Sequence, residues 1–357
     1  MYIRAVHIKD FFKTALAFLF LAVFLLFPEP CTQAAKDGLN IAMYLVLPSL
    51  FPFAVVSGYL SGRFRLPAFI SRLFSRLTGL PEHASAIFVL GNLSGFPVGA
   101  LLISDAIKSN ALSIKCANHL LPLCTACGPV FIIGVIGGGM LGSFKTGYIL
   151  YGIQLLSLFL ICLLCKKFTP YTSPASRTVL PAQTLVSVVE KNVRSALVVC
   201  GFILFFRVVC EMLRVTHFAE NLFPFPPFLY GLLEISGGCN LVVLSDLPMQ
   251  IKCAVLSFLC TFSGVCVLLQ ISSAIRATGI SLKKYCFIKL LQASLSFCIT
   301  YFVFSFLSIE TVSVSSMHAD SFSFSSPFLL CCYLLFALSA LFLFVRNKII
   351  GHTFDKR

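Results

Sequence analysis

Charge is scarce in this sequence: Asp, Glu, Lys and Arg make up 11% of its 357 residues, where a soluble domain carries roughly 25%. The shortage excludes a cytosolic enzyme, a secreted disulfide scaffold and a disordered chain. Acidic residues are the rarer sign, 13 against 27 basic ones. Enzyme signatures are missing too: there is no G-x-S-x-G, no H-E-x-x-H, no Walker A sequence and no paired acidic metal motif. The chain is therefore expected not to be an enzyme, and ATP-driven transport by this chain alone is not expected. A gradient, a partner or the solute's own concentration difference must supply the energy.

The formal charge of +14 would suggest nucleic acid in a soluble protein. Here the basic residues sit in short segments between apolar runs, where they set membrane orientation and touch anionic headgroups, so no nucleic-acid partner is expected. Sixteen cysteines look like a metal or redox signal, yet most lie inside apolar runs, as Cys200, Cys210, Cys253, Cys260, Cys266 and Cys298 do. Buried thiols behave as small hydrophobes. Cys124 and Cys127 form a C-x-x-C, as do Cys162 and Cys165, but no His pair or second nearby C-x-x-C completes a tetrahedral set. Neither a metal nor a cofactor is expected.

What is present is apolar: 58% of the residues, with a mean hydropathy of +0.96. Such a chain is an all-helical polytopic membrane protein. A bilayer core about 30 Å thick needs roughly 20 apolar residues per helix, and eight stretches are read as spans, at 11–27, 41–60, 115–141, 146–165, 195–213, 251–274, 285–307 and 327–345. Two more, 84–104 and 228–244, are interrupted by Ser94-Gly95-Phe96-Pro97 and by Ser236-Gly237-Gly238, and read as re-entrant hairpins. The first run has an alternative reading as a cleaved signal peptide, because Arg4 and Lys9 precede it and Ala34 and Ala35 follow. With eight crossings both termini are cytoplasmic. Inside segments then hold Arg63, Arg65, Arg72 and Arg76, then Lys108, Lys166, Lys167 and Arg177, then Arg276, Lys283 and Lys284, and finally Arg346, Lys348, Lys356 and Arg357. The outside stretch 308–326 has Glu310 and Asp320 but no Lys or Arg, as the positive-inside rule requires. Lys36, Lys145 and Arg214 are exceptions.

Comparing the chain with itself reveals a faint, ordered repeat. Leu93-Ser94-Gly95 in a broken segment precedes Cys124-Thr125-Ala126-Cys127-Gly128 in a long span. Ile235-Ser236-Gly237 likewise precedes Cys260-Thr261-Phe262-Ser263-Gly264. Each unit reads as span, broken hairpin, broken span, span, and the charge pattern turns the second upside down relative to the first. Inverted repeats with discontinuous helices place a solute site near the midplane, where half-helix N-termini offer unpaired N–H groups. Small residues also let ordinary transmembrane helices approach closely, which is the competing explanation of any single motif.

Five blocks in order, Leu47 to Phe53, Gly95 to Ala100, Gly128 to Gly134, Gly231 to Glu234 and Gly264 to Gln270, resemble sporulation integral membrane proteins of the YlbJ type, with nucleoside-recognition (Gate) domains. The resemblance implies a fold like that of concentrative nucleoside transporters. It also implies a role in endospore formation, where the family is associated with passing dipicolinic acid through the outer forespore membrane. One departure is that Thr125-Ala126-Cys127 stands where the family commonly has a pair of polar amides before the Gly-Pro. The chain then divides into an N-terminal span and loop (1–40), a first Gate-like repeat (41–165), a linker (166–194), a second Gate-like repeat (195–307), and a C-terminal span and tail (308–357).

A dicarboxylate or a nucleoside needs directional partners in a dry site, since each unpaired polar group costs a few kcal/mol. The expected solute-binding residues are Asn92, Ser94 and Gly95 on the first hairpin, Glu234, Ser236, Gly237 and Asn240 on the second, and Thr125, Gly128, Ser263, Gly264 and Gln270 on the broken spans. For each polar one the competing reading is an interhelical hydrogen bond worth about 0.6 kcal/mol. Glu234 would repel an anion, so a coupling or structural role suits it better than ligation. Arg207 and Glu211 are spaced to pair on one helix face, although an Arg fork also suits a carboxylate. His119 reads as a proton relay or as an interhelical hydrogen-bonding group. The stretch Arg63 to Leu80 alternates basic and apolar residues and should lie on the inner surface, against anionic lipid or a partner protein.

These readings converge on a transporter or permease for a small polar solute, with dipicolinic acid first. A nucleoside or nucleobase carrier, and a non-transporting scaffold for spore-envelope assembly, are the alternatives. The expected partners are the solute, the lipid bilayer and a coupling ion (H+ or Na+); assembly into oligomers is compatible with all of them.

Overall fold

In lipid every backbone N–H and C=O must be satisfied within the segment or its partners, so long apolar runs become helices. A computed structural model of the chain describes residues 2–166 and 182–306, and every regular element in them is helical. The expected span 327–345, the C-terminal tail and most of the linker lie outside the described residues.

Helix α1 (Tyr2–Leu26) ends just before Pro28, which opens α2 (Pro28–Asn40). A π-helical turn over Ile41–Val46 carries the chain into α3 (Leu47–Leu60), so 28–60 forms one continuous span. The π-turn lies directly before Pro48, a residue with no N–H to return to the preceding turn. The stretch 28–40 is thus helix rather than the expected loop. Pro28 and Pro30 sit in the first turn, where a missing N–H costs nothing, and Cys31, Ala34 and Gly38 form a buried face along α9. At Gly38 a Cβ would stand 3.0 Å from the Leu204 Cα, so the two backbones nearly touch.

Basic α4 (Ala68–Thr78) follows Pro67 and is stopped by Gly79 in the left-handed conformation, φ 72°. It buries Ser71, Phe74 and Thr78 and exposes Phe69, Leu73, Arg72 and Arg76, as its sequence pattern predicts. Helices α5 (Ser85–Ser94) and α6 (Val98–Lys108) form a hairpin around Gly95-Phe96-Pro97. Next, α7 (Ile114–Cys124) gives way to an unwound stretch at 125–128 and, after Pro129, a π-helical segment, Val130–Met140. The long apolar α8 (Phe144–Lys166) closes this half.

The second half repeats that order. It runs through α9 (Leu185–Val215), the short α10 (Phe218–Leu222), a hairpin of α11 (Pro226–Leu233) and α12 (Ile235–Leu244), a broken pair of α13 (Met249–Phe262) and α14 (Gly264–Ile275), and α15 (Leu282–Phe306). Helix α9 starts ten residues before the expected span, because Thr184 caps it and Asp105 at the end of α6 pairs with Lys191. Glu190, Lys191 and Arg194 end the apolar run in the sequence without ending the helix.

Five helices among the described residues are long and apolar enough to cross a membrane: Pro28–Leu60, Phe144–Lys166, Leu185–Val215, Met249–Ile275 and Leu282–Phe306. The chain is accordingly a polytopic α-helical membrane protein. The expected span 11–27 falls in α1, whose apolar part, Thr14–Leu26, is shorter, and 115–141 is divided by the unwound stretch. The core is continuous across both halves, with α13 packed along α15 and α15 along α8.

Candidate functional site

Bare backbone shapes the first half of the site. A Cβ on Gly91 or Gly99 would come within 2.4 or 2.0 Å of the Cys124 carbonyl, so only glycines let the last turn of α7 settle into the α5–α6 hairpin. At the hairpin tip Gly95 has φ +76°, and a Cβ there would meet the Gly128 N at 2.9 Å. The hairpin tip and the unwound stretch therefore touch main chain to main chain. Asn92 Nδ2 donates to the carbonyls of Phe88 (2.8 Å) and Leu123 (2.9 Å), while its Oδ1 is buried without a partner. Ser94 shares a 2.5 Å hydrogen bond with Ser57, tying the hairpin to α3. Thr125 Oγ1 donates to the Leu121 carbonyl at 2.6 Å.

In the second half the hairpin turns at Glu234, not at Ser236-Gly237-Gly238. Glu234 has extended dihedrals and caps α12: its Oε1 accepts from the Ser236 N–H (2.8 Å) and its Oε2 from the Gly237 N–H (2.7 Å). The glycines serve packing instead. A Cβ on Gly238 would lie 2.0 Å from the Gly231 Cα, so the two arms are in backbone contact. The break between α13 and α14 falls at Ser263 and Gly264, with φ 78° and 72°. A Cβ on Gly264 would meet the Leu232 carbonyl at 2.8 Å, which again sets a broken span against its hairpin.

Arg207 and Glu211 do not pair. Glu211 takes Arg214 with both oxygens, at 2.7 and 2.9 Å, one turn nearer the helix end where that guanidinium is exposed. The Arg207 guanidinium instead lies over Gly237, its Nη1 2.0 Å from where a Cβ would stand, with Nε buried and without a hydrogen-bond partner. His119 Nε2 meets Lys284 Nζ at 2.7 Å, an interhelical bond between α7 and α15.

A cavity of about 40 Å³ lies where these parts converge, lined by Ser49, Phe96, Cys127, Gly128, Glu234, Ser236 and Gln270 among apolar side chains. Of the twelve expected residues it gathers Gly128, Glu234, Ser236 and Gln270. Asn92, Ser94, Gly95, Thr125, Gly237, Ser263 and Gly264 lie outside its wall, shaping or supporting the breaks. Asn240 does neither, since the helical period turns it to the exposed side of α12. Gln270 Nε2 contacts Cys266 Sγ at 3.4 Å.

The polar face of α15 holds none of the twelve expected residues. Tyr285, Lys289, Gln292, Ser296 and Thr300 recur at helical spacing, and all five are fully buried. Lys289 Nζ donates to Gln292 Oε1 at 3.1 Å, and Ser296 pairs with Ser257 of α13 at 2.6 Å. Their positions at i, i+4, i+7, i+11 and i+15 were the available signal.

No family model and no solved structure matches the chain. Among known proteins it is similar to the sporulation integral membrane protein YlbJ of Bacillus subtilis (strain 168), with 28% identity over 321 residues that cover 77% of this chain and 78% of that protein.

Proposed function

On the premise of this YlbJ-type likeness, we propose that the chain is a permease for a small polar solute, dipicolinic acid first, acting in the outer forespore membrane during sporulation. The observation that carries the reading is the convergence of one hairpin tip, one capped half-helix and two broken spans on a single small cavity. Irregular backbone at membrane depth is tolerated where it is buried in protein or lines a water-filled path. The two halves share one order of elements, and the permease reading takes them in opposite orientations, with both termini cytoplasmic, in keeping with the distribution of basic residues. Rocking one half against the other around the cavity is the corresponding cycle.

A space of about 40 Å³ holds one or a few waters, not a pyridine dicarboxylate, so the conformation described is a closed one. Opening exposes the Ser236 hydroxyl, the Gln270 amide and the main chain at Gly128 as neutral partners for the solute. Glu234 contributes by holding the α12 N-terminus in shape, since both its oxygens are engaged there.

The test is dipicolinate flux into liposomes holding the purified protein, with Ser236→Ala and Gln270→Ala variants, empty liposomes and a nucleoside competitor alongside. Saturable flux lost in the variants is expected. Flux no greater than in empty liposomes, from protein shown to be folded and inserted, overturns the reading, and inhibition by the nucleoside moves the substrate to the nucleoside class.

A further inference from the structure

Among the described residues Lys289 is the one Lys or Arg that is buried, at 0% exposure, two turns into a membrane-spanning helix. No carboxylate of the described residues pairs with it. Its three donors find one acceptor, Gln292 Oε1. The titratable groups facing it are thiols: Cys124 of α7, Cys127 of the unwound stretch and Cys162 of α8. Helix α13 presents hydroxyl chemistry along the same face, as Ser257 meets Ser296. An ionisable side chain kept at that depth without a counter-charge marks a proton, ion or solute path. A metal cation is repelled by an ammonium, and Lys289 lies outside the wall of the closed cavity, which leaves a proton as the ion it can carry.

The amine reaches the cavity by way of α8. Gln292 Nε2 donates to Ser157 Oγ at 3.5 Å, and Ser157 Oγ donates to the main-chain carbonyl of Gln154 at 2.9 Å. Gln154 Nε2 in turn donates to the carbonyl of Cys127 at 2.9 Å, in the unwound stretch that walls the cavity. Gln154 Oε1 is buried and unpartnered, an acceptor open to rearrangement. Toward the start of α15 the Tyr285 hydroxyl, one turn away, makes no hydrogen bond of good geometry, and the His119–Lys284 bond lies just beyond it.

We propose that Lys289 carries the coupling proton of the transport cycle, and that Gln292, Ser157 and Gln154 convey its protonation to the unwound stretch 125–128. Lys289 is thus a positioning residue, acting on the cavity through Gln292, Ser157 and the Gln154 segment of α8. The proposal rests on the permease reading and assigns H+ as the coupling ion.

The full-length protein is reconstituted with a pH dye inside the liposomes and dipicolinate as the probe. In the parent, dipicolinate entry changes the internal pH, and an imposed pH gradient drives accumulation. Lys289→Met should lose both effects while retaining dipicolinate counterflow that no longer varies with pH. Lys289→Arg, which keeps the charge but cannot release the proton, should behave like Lys289→Met, whereas a role as fixed charge would let it behave like the parent. Gln292→Leu and Ser157→Ala leave the amine in place and should weaken the coupling, which decides the matter if Lys289→Met fails to fold. Gradient-driven accumulation in either Lys289 variant, or parental flux without an internal pH change, overturns the proposal while leaving the permease reading intact. Absence of parental flux removes both.

Discussion

Gly238 and Glu234 sit four residues apart and show two ways in which a single side chain decides a helix break in lipid. At Gly238 there is no room for a methyl group, because a Cβ would stand 2.0 Å from the Gly231 Cα. Gly238→Ala should therefore destabilise the protein by about 1–3 kcal/mol, the usual cost of overpacking, seen as a lower midpoint of thermal unfolding in detergent. Gly152 has nothing within 4 Å of the same position, so Gly152→Ala should leave that midpoint unchanged or raise it. Glu234 works by hydrogen bonds. Glu234→Ala strands the Ser236 and Gly237 amides and should cost about 1–3 kcal/mol in the same assay. Glu234→Gln keeps one good acceptor and should lose less.

At the scale of elements, the hairpins and breaks were legible because their residues are locally exceptional. Gly95-Phe96-Pro97 and Ser263-Gly264 interrupt apolar runs, and a helix cannot cross them unchanged. The position of the second hairpin's turn was not legible. Glycine marks both turns and close packing, and only the approach of Gly231 tells which purpose Gly238 serves. Polar residues likewise hid α2 and the start of α9, since a hydropathy window falls at Glu29, Lys36 and Asp37 and at Glu190 and Lys191, whereas the backbone hydrogen bonds do not stop there. Amide hydrogen exchange should find 28–40 protected together with α9, and rapid exchange across 28–40 would contradict their packing. The expected site fared unevenly for the same reason: Ser236 and Gln270 reach the cavity, Asn240 points away, and one-dimensional spacing does not say which face of a short helix is covered. Between elements, the Ser57–Ser94 bond should show a coupling of about 0.6 kcal/mol in a double-mutant cycle with Ser57→Ala and Ser94→Ala, the typical value for interhelical hydrogen bonds in membranes.

For the whole molecule, the proposed permease role and the closed cavity together require access and solute binding to alternate. Cys127 and Cys266 lie in its wall and are almost wholly buried. A small thiol reagent should label them slowly in resting protein, faster when transport is running, and more slowly again when saturating dipicolinate fills the opened site. Mass spectrometry of the labelled peptides reads each position separately. The polar face of α15 also bears on how the chain is made. A Lys in a lone helix costs up to about 2.5–3.5 kcal/mol during translocon insertion, the figure for a helix centre, and α15 has the least hydropathic window of the five span-length helices. Helix α15 thus becomes a membrane helix through its neighbours: α13 and α8 must already be in the bilayer to cover Lys289, Gln292 and Ser296 as it leaves the ribosome's exit path. The last of the described helices should then be inserted with the help of the part of the protein that precedes it, and a nascent chain lacking α13 should leave α15 stranded at the membrane surface, where a protease reaches it.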